Sequence, residues 1–201
     1  MVRADVLLVS LGSTAARSPA VVVPIAVEPS GPAAERDLAA VTYAADPHKK
    51  GLDRVLAAWT TARRGRYRSR RAPRRRGVPA APGVRDAGRL PPAEFRALLR
   101  RARVYVTAPR REDYGLAQLE ALADGALLVT TPAPGPYAAL PIARALDERL
   151  VSDDLAGALR AALDDPLPGY ADRAASALGP YRREAVDATV QERLLPALLS
   201  G

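Results

Sequence analysis

Between residues 104 and 131 the chain switches from a β-branched and aromatic run to a helical period and back to an apolar run, which predicts strand, loop, helix and strand. Residues 104–107 (VYVT) are β-branched and aromatic and stop at Ala108-Pro109. Leu116, Leu119, Leu122 and Ala123 then recur at helical spacing, and Gly125 stands where a helix stops. Residues 126–131 (ALLVTT) form a second apolar strand. The outcome is a βαβ unit, which builds parallel sheets whose ligands sit at the carboxyl ends of the strands.

The same reading extends to both sides. ADVLLVS, within the first ten residues, has the pattern of a buried strand, and residues 21–27 (VVVPIAV) are extended and broken by Pro24. Residues 28–36 read as a loop, 38–44 (LAAVTYA) as a strand, and ADPHKKG as a turn. Leu52, Val55, Leu56 and Trp59 mark an amphipathic helix. GVRDAGRL, from Gly83, predicts a short strand, and Pro92 leads a helix with Glu94 in its first turn. Phe95, Leu98, Leu99 and Ala102 form its buried stripe, while Arg96, Arg100, Arg101 and Arg103 read as a solvated face and C-terminal dipole partners.

Beyond residue 131, PAPGPY is a loop, followed by a short helix to Leu146 with Pro141 in its first turn. Leu150-Val151 predicts a final short strand. Ser152 or Asp153 caps a helix over 155–163, which Pro166 follows. Residues 171–178 and 184–195 are helical, with Val186, Val190 and Leu194 at spacing four. Strands alternating with helices define the class as α/β.

Composition narrows the function classes. The 201 residues hold one sizeable domain, or one domain with appendages. There is no cysteine, which excludes disulfides, thiolate metal sites and a cysteine nucleophile. One histidine, His48, leaves no multi-histidine metal site, and it reads as a turn residue. No apolar run reaches the ~18 residues that span a bilayer, and the expected location is the cytoplasm. The net charge of +8 is local: RRGRYRSRRAPRRR, residues 63–76, carries nine arginines and no acid. The rest of the chain sums to about −1.

Residues 63–82 interrupt the pattern, because a strand is due after the helix and none is written there. Three readings stand side by side. The stretch is a solvated insertion, or it binds nucleic acid or another polyanion through Arg63 to Arg76, or a shifted reading frame has replaced a strand. The first is favoured over nucleic-acid binding.

The candidate chemistry lies in the loop of the βαβ unit. Arg110, Arg111, Glu112 and Asp113 precede Tyr114-Gly115-Leu116, and Glu120 follows inside the helix. Glu112 and Glu120 are about 12 Å apart if the span is wholly helical, the reach of a nucleotide diphosphate with its attached group. Between them lies a helix start, whose free amides and positive dipole end favour phosphate. One carboxylate is thereby offered to a ribose and the other to what the diphosphate carries. Acidic residues in a first turn are also ordinary dipole partners, and a helical glutamate is usually solvated.

The stretch GRLPPAEFRALLRRARVYVTAPRREDYGLAQLEALADGALLVTT resembles the donor-binding half of glycosyltransferase family 4, nucleotide-sugar enzymes with the GT-B fold. Pro109, Glu112, Gly115, Leu116, Glu120, Ala121 and Gly125 match the family pattern in order. The resemblance implies a Rossmann-like doubly wound parallel sheet, the C-terminal half of a GT-B enzyme. Residues 1–28 would be the remnant of an N-terminal domain and its connection, 29–168 the nucleotide-sugar domain with 63–82 as an irregular segment, and 169–201 terminal helices.

It further implies a retaining glycosyltransferase acting from a nucleotide-diphospho-sugar, without metal or other cofactor. Glu112 is then the catalytic carboxylate, facing the sugar. Lys50, Asp113, Tyr114, Gly115, Leu116, Glu120 and Gly135 bind the donor, with Glu120 on the ribose and Lys50 on the diphosphate. The family often has an arginine five residues before that lysine, and here the position is Ala45. Gly135 would let backbone approach the donor, and equally fits a simple turn. A separate N-terminal domain, or self-association through the C-terminal helices, is the implied partner. The competing readings are a non-catalytic remnant or nucleotide-binding module, and the polyanion binder.

Overall fold

The computed structural model describes residues 21–63 and 83–199. Its contacts divide the chain into two units, one of residues 29–175 and one of residues 1–28 with 176–201. The ADVLLVS strand and residues 64–82 of the arginine-rich stretch lie outside the described residues.

Among its described residues the larger unit is mixed α/β around a three-stranded parallel sheet. β1 (Leu38–Val41), β2 (Ala102–Thr107) and β3 (Leu127–Thr130) lie in that order, with Ala40 opposite Val104 and Val104 opposite Leu127. β2 is buried at every position except Arg103, on both faces. A central strand of a parallel sheet is covered on both sides, so its sequence runs apolar rather than alternating. The cover comes in two pairs of helices. α1 (Leu52–Ala62) packs with α5 (Leu155–Asp164) against β2, and α2 (Pro92–Arg101) packs with α3 (Leu116–Ala123) against the sheet.

The helical periods are borne out in part, since Trp59, Phe95, Leu98 and Leu116 on the expected apolar faces are only half-buried. Leu52, Val55 and Leu56 of α1 are buried, as are Leu119 and Leu122 of α3. α3 ends at Gly125, whose φ of 76° places it in the left-handed region that a helix stop uses. α4 (Ala139–Leu146) carries Pro141 in its first turn, where no intrahelical N–H is lost.

Four expectations are corrected. Residues 83–90 form no strand: Gly83 and Gly88 have φ of 75° and 73°, and Asp86 Oδ1 accepts the Gly88 amide in a turn. The strand at Leu150-Val151 shrinks to one bridge between Thr130 and Val151, because Asp147 draws residues 148–150 into a 3₁₀ turn. The cap of α5 is Asp154, not Ser152 or Asp153; its carboxylate accepts the Gly157 amide, and Ser152 Oγ is spent on the Asp154 amide. The helix from residue 184 is broken into an α-helix Arg183–Thr189, a π-helical turn Val190–Leu194 and a last α-helical turn Leu195–Leu199. Pro196 has no N–H for the carbonyl four residues back, and the wider turn precedes it. Val186 is buried, whereas Val190 and Leu194 are half-buried.

In the smaller unit the extended segment before residue 29 is tied to the end of the chain. The Val27 amide donates to the Tyr181 carbonyl at 2.8 Å, and Glu28 accepts from the Arg183 amide at 2.7 Å. That hydrogen bond, with Arg182 beside it, holds the Glu28 carboxyl below its usual range.

Candidate functional site

Parallel strands deliver their following loops to one edge of the sheet, so the turn after β1, the loop after β2 and the loop after β3 are neighbours. The first two are laced by charge. Lys50 Nζ donates to Glu112 Oε2 at 2.7 Å, Lys49 Nζ to Asp113 Oδ2 at 2.8 Å, and Arg110 grips Asp53 of α1 through both terminal nitrogens. Arg110 also donates its amide to the Lys49 carbonyl and its guanidinium to that of His48. Its guanidinium holds Asp53 down at about 2.

Two glycines let these loops touch. Gly51, at φ 65°, starts α1, and a Cβ there would lie 1.9 Å from the Ala108 carbonyl oxygen. Gly135, at φ 115°, lies over Glu112, and a Cβ would meet the Glu112 carbonyl oxygen at 2.2 Å. Neither space nor backbone conformation admits a side chain at either place. The Glu112 amide donates to the Pro134 carbonyl, which fixes the third loop on the second.

Glu112 is buried, with 6% of its side chain exposed. Its Oε2 accepts from Lys50 and, at 2.9 Å, from Gln118 Nε2 of α3; Oε1 accepts from no described residue. The Tyr137 hydroxyl of the third loop meets Thr130 Oγ1 at 3.0 Å. Burial first, and the Glu112 charge among smaller effects, push the Tyr137 phenol well up.

α3 begins at Gly115, in the left-handed region at φ 88°, under the Tyr137 ring. A glycine cap offers no side-chain oxygen and the first turn has no acid, so no side chain caps the first amides. Tyr114, half-buried, accepts the Ala138 amide on its carbonyl, and Leu116 opens the helix half-buried. Asp113 is exposed between Lys49 and Arg111, whose side chains hold its carboxyl below the usual range.

Glu120, one turn further along α3, faces another group. Arg96 Nη1 of α2 stands 3.5 Å from its Oε1, and Oε2 has no described hydrogen-bond partner. Burial raises its carboxyl above the usual range, against the Arg96 charge and with the Asp124 charge. The two glutamates share no bonding partner, yet both act on one buried group. The Tyr105 phenol on β2 is pushed up by burial, then by the charges of Tyr137, Glu112 and Glu120.

The structure thus gathers Lys50, Glu112, Gly115 and Gly135 at one spot, with Tyr114 and Leu116 beside them. Glu120 lies apart on the α2 side, and Asp113 stands outward. Sequence reading missed Gln118, Tyr137, Arg96 and Asp124. Arg96, expected on a solvated face, is 15% exposed and forks onto Asp124, whose side chain is fully buried. The available signal was Asp124 itself, an acid between helix and strand in an apolar setting. A cleft of about 240 Å³ opens elsewhere, between α1 and α5, lined by Arg54, Thr61, Thr131, Asp153 and Asp154. It includes neither Glu112 nor Glu120.

No group of three or more metal-binding side chains lies together among the described residues, and no described helix is long and apolar enough to cross a membrane. No protein-family model matches the chain, and no curated protein matches it.

Proposed function

We propose that this chain is the donor-binding half of a GT-B retaining glycosyltransferase, holding a nucleotide-diphospho-sugar at the start of α3. One observation carries the reading: an uncapped helix N-terminus lies between Glu112 and Glu120, with Lys50 brought in from the loop after β1. Free amides at a helix start bind phosphate, and the dipole adds to the attraction. Lys50 has three donors and spends one on Glu112, which leaves two for diphosphate oxygens.

In this reading the amides of Gly115 and Leu116, with Lys50, stabilise the charge that grows on the leaving diphosphate. Glu112, fixed by Lys50 and Gln118, offers Oε1 to a sugar hydroxyl and orients the donor. Glu120 accepts from the ribose. Gly135 and Tyr114 shape the wall. Calorimetric titration with UDP and GDP tests the reading: heat of binding is expected for one of them and a clear loss in Glu120→Ala. Absence of heat with both overturns it.

A nucleotide-binding module without turnover is the second reading, favoured because Glu112 is already engaged by Lys50 and Gln118. Sugar transfer by the isolated chain would remove it.

A further inference from the structure

Asp124 follows α3 with a side chain that is fully buried, and every one of its bonds is accounted for by charge or geometry. Oδ2 accepts from Arg96 Nε at 2.6 Å and Ser30 Oγ at 3.0 Å; Oδ1 accepts from Arg96 Nη2 at 3.0 Å and the Ser30 amide at 2.8 Å. Four donors on two oxygens fill the acceptor capacity of a carboxylate. The Asp124 carbonyl is held in turn by Arg36 Nη2 at 2.7 Å. Arg36 Nη1 binds the carbonyls of Leu99 and Ala102, which fastens the end of α2 to the end of α3.

The consequence falls on Arg96. A two-nitrogen fork onto a carboxylate fixes the plane of a guanidinium as well as its position. With Nε and Nη2 spent on Asp124, the remaining edge, Nη1, faces Glu120 Oε1 at 3.5 Å. That distance is at the outer limit of a hydrogen bond, so Arg96 acts on Glu120 through its charge. The charge works in a setting where little water screens it, because the Arg96 side chain is 15% exposed and that of Glu120 25%.

We propose that Arg96, clamped by Asp124, is the positioning residue of the ribose end: it turns Glu120 Oε1 inward and presents Oε2 as the single-sided acceptor for a ribose hydroxyl. This rests on the nucleotide-sugar reading above. It also explains why an arginine on α2 is buried against an acid rather than left on the solvated face of that helix. The charged groups around Glu120 are Arg96 from α2 and Asp124 from the end of α3. Arg96 favours the ionised carboxylate; burial and Asp124 oppose it.

The test uses the full chain with two replacements that avoid a lone buried charge. Arg96→Lys keeps the cation and loses the fork. The paired change Arg96→Gln with Asp124→Asn removes both charges and keeps amides in their place. The Glu120 titration is followed by the carbon resonance of its carboxyl, and UDP and GDP affinity is measured at pH 6 and pH 8. In the paired variant the Glu120 midpoint is expected to rise. Affinity relative to the unaltered chain should fall more at pH 6 than at pH 8, since a carboxylate whose midpoint has risen is less ionised at the lower pH. Arg96→Lys is expected to restore most of the loss at pH 6.

An unchanged Glu120 midpoint, or an equal loss at both pH values, overturns the positioning role. If the unaltered chain binds neither nucleotide, the nucleotide-sugar reading fails, and the resonance midpoint still decides whether Arg96 controls Glu120.

Discussion

Lys50 and Glu112, 62 positions apart in the chain, meet at 2.7 Å with the carboxylate 6% exposed and the lysine side chain 21%. The contact joins the loop after β1 to the loop after β2, and Gln118 of α3 adds a second bond to the same Glu112 oxygen. A buried pair of this kind adds little net stability, whereas removal of one member leaves the other uncompensated. Lys50→Met is therefore expected to cost about 3 kcal/mol. Glu112→Gln should cost only about 1 kcal/mol, because the amide keeps a hydrogen bond and the lysine can turn to water. The double variant should cost less than the sum, read from urea midpoints.

Gly51 and Gly135 are places where backbone meets backbone. Alanine at either must hold a positive φ and push a carbonyl oxygen aside, which should lower stability by about 2–4 kcal/mol. Gly179, with nothing within 4 Å of its would-be Cβ, is the control, and alanine there should change stability by less than about 0.5 kcal/mol. Thermal unfolding of the three variants checks the contrast.

Much of the fold was legible because its signals are local. The 3.6 period of Leu116, Leu119 and Leu122 and the stop at Gly125 lie within one window of sequence, and so does the apolar run of β2. What escaped depends on distant partners. Arg96 reads the same in sequence whether it meets water or an acid 28 positions later. Ser152, Asp153 and Asp154 are three plausible caps in a row, and only the path of the chain gives Asp154 the Gly157 amide. The Glu112 and Glu120 spacing is a linear one, and it carries no information on Lys50 and Gln118 claiming one carboxylate while Arg96 faces the other.

The choice among Ser152, Asp153 and Asp154 as cap can be checked directly. Asp154→Ala should destabilise the fold by about 1 kcal/mol, the usual cost of losing a cap. Asp153→Ala, at an 81% exposed side chain with only a 3.7 Å contact to Arg54, should cost much less. Denaturant midpoints of the two variants separate them.

The titration of Glu120 has a sign that can be worked out. Burial raises its carboxyl in the folded chain above the ordinary 4.5, so the folded form holds the proton more readily than the unfolded one. The fold is favoured below the unfolded value and loses that contribution as pH rises through the folded midpoint. Glu120→Gln cannot ionise and should be more stable than the unaltered chain at pH 7. The advantage should shrink toward pH 4. Urea unfolding at both pH values reads the difference, and the same variant should bind UDP and GDP more weakly, a gain in stability against a loss of function.

The central claim is that a nucleotide diphosphate sits at the start of α3. The most direct measurement is an amide-resolved magnetic resonance titration of the full chain with UDP and GDP. The account predicts the largest shifts at Gly115 and Leu116, with further shifts at Lys50, Glu112 and Glu120. Shifts confined to the cleft between α1 and α5, or no shifts with either nucleotide, would contradict it.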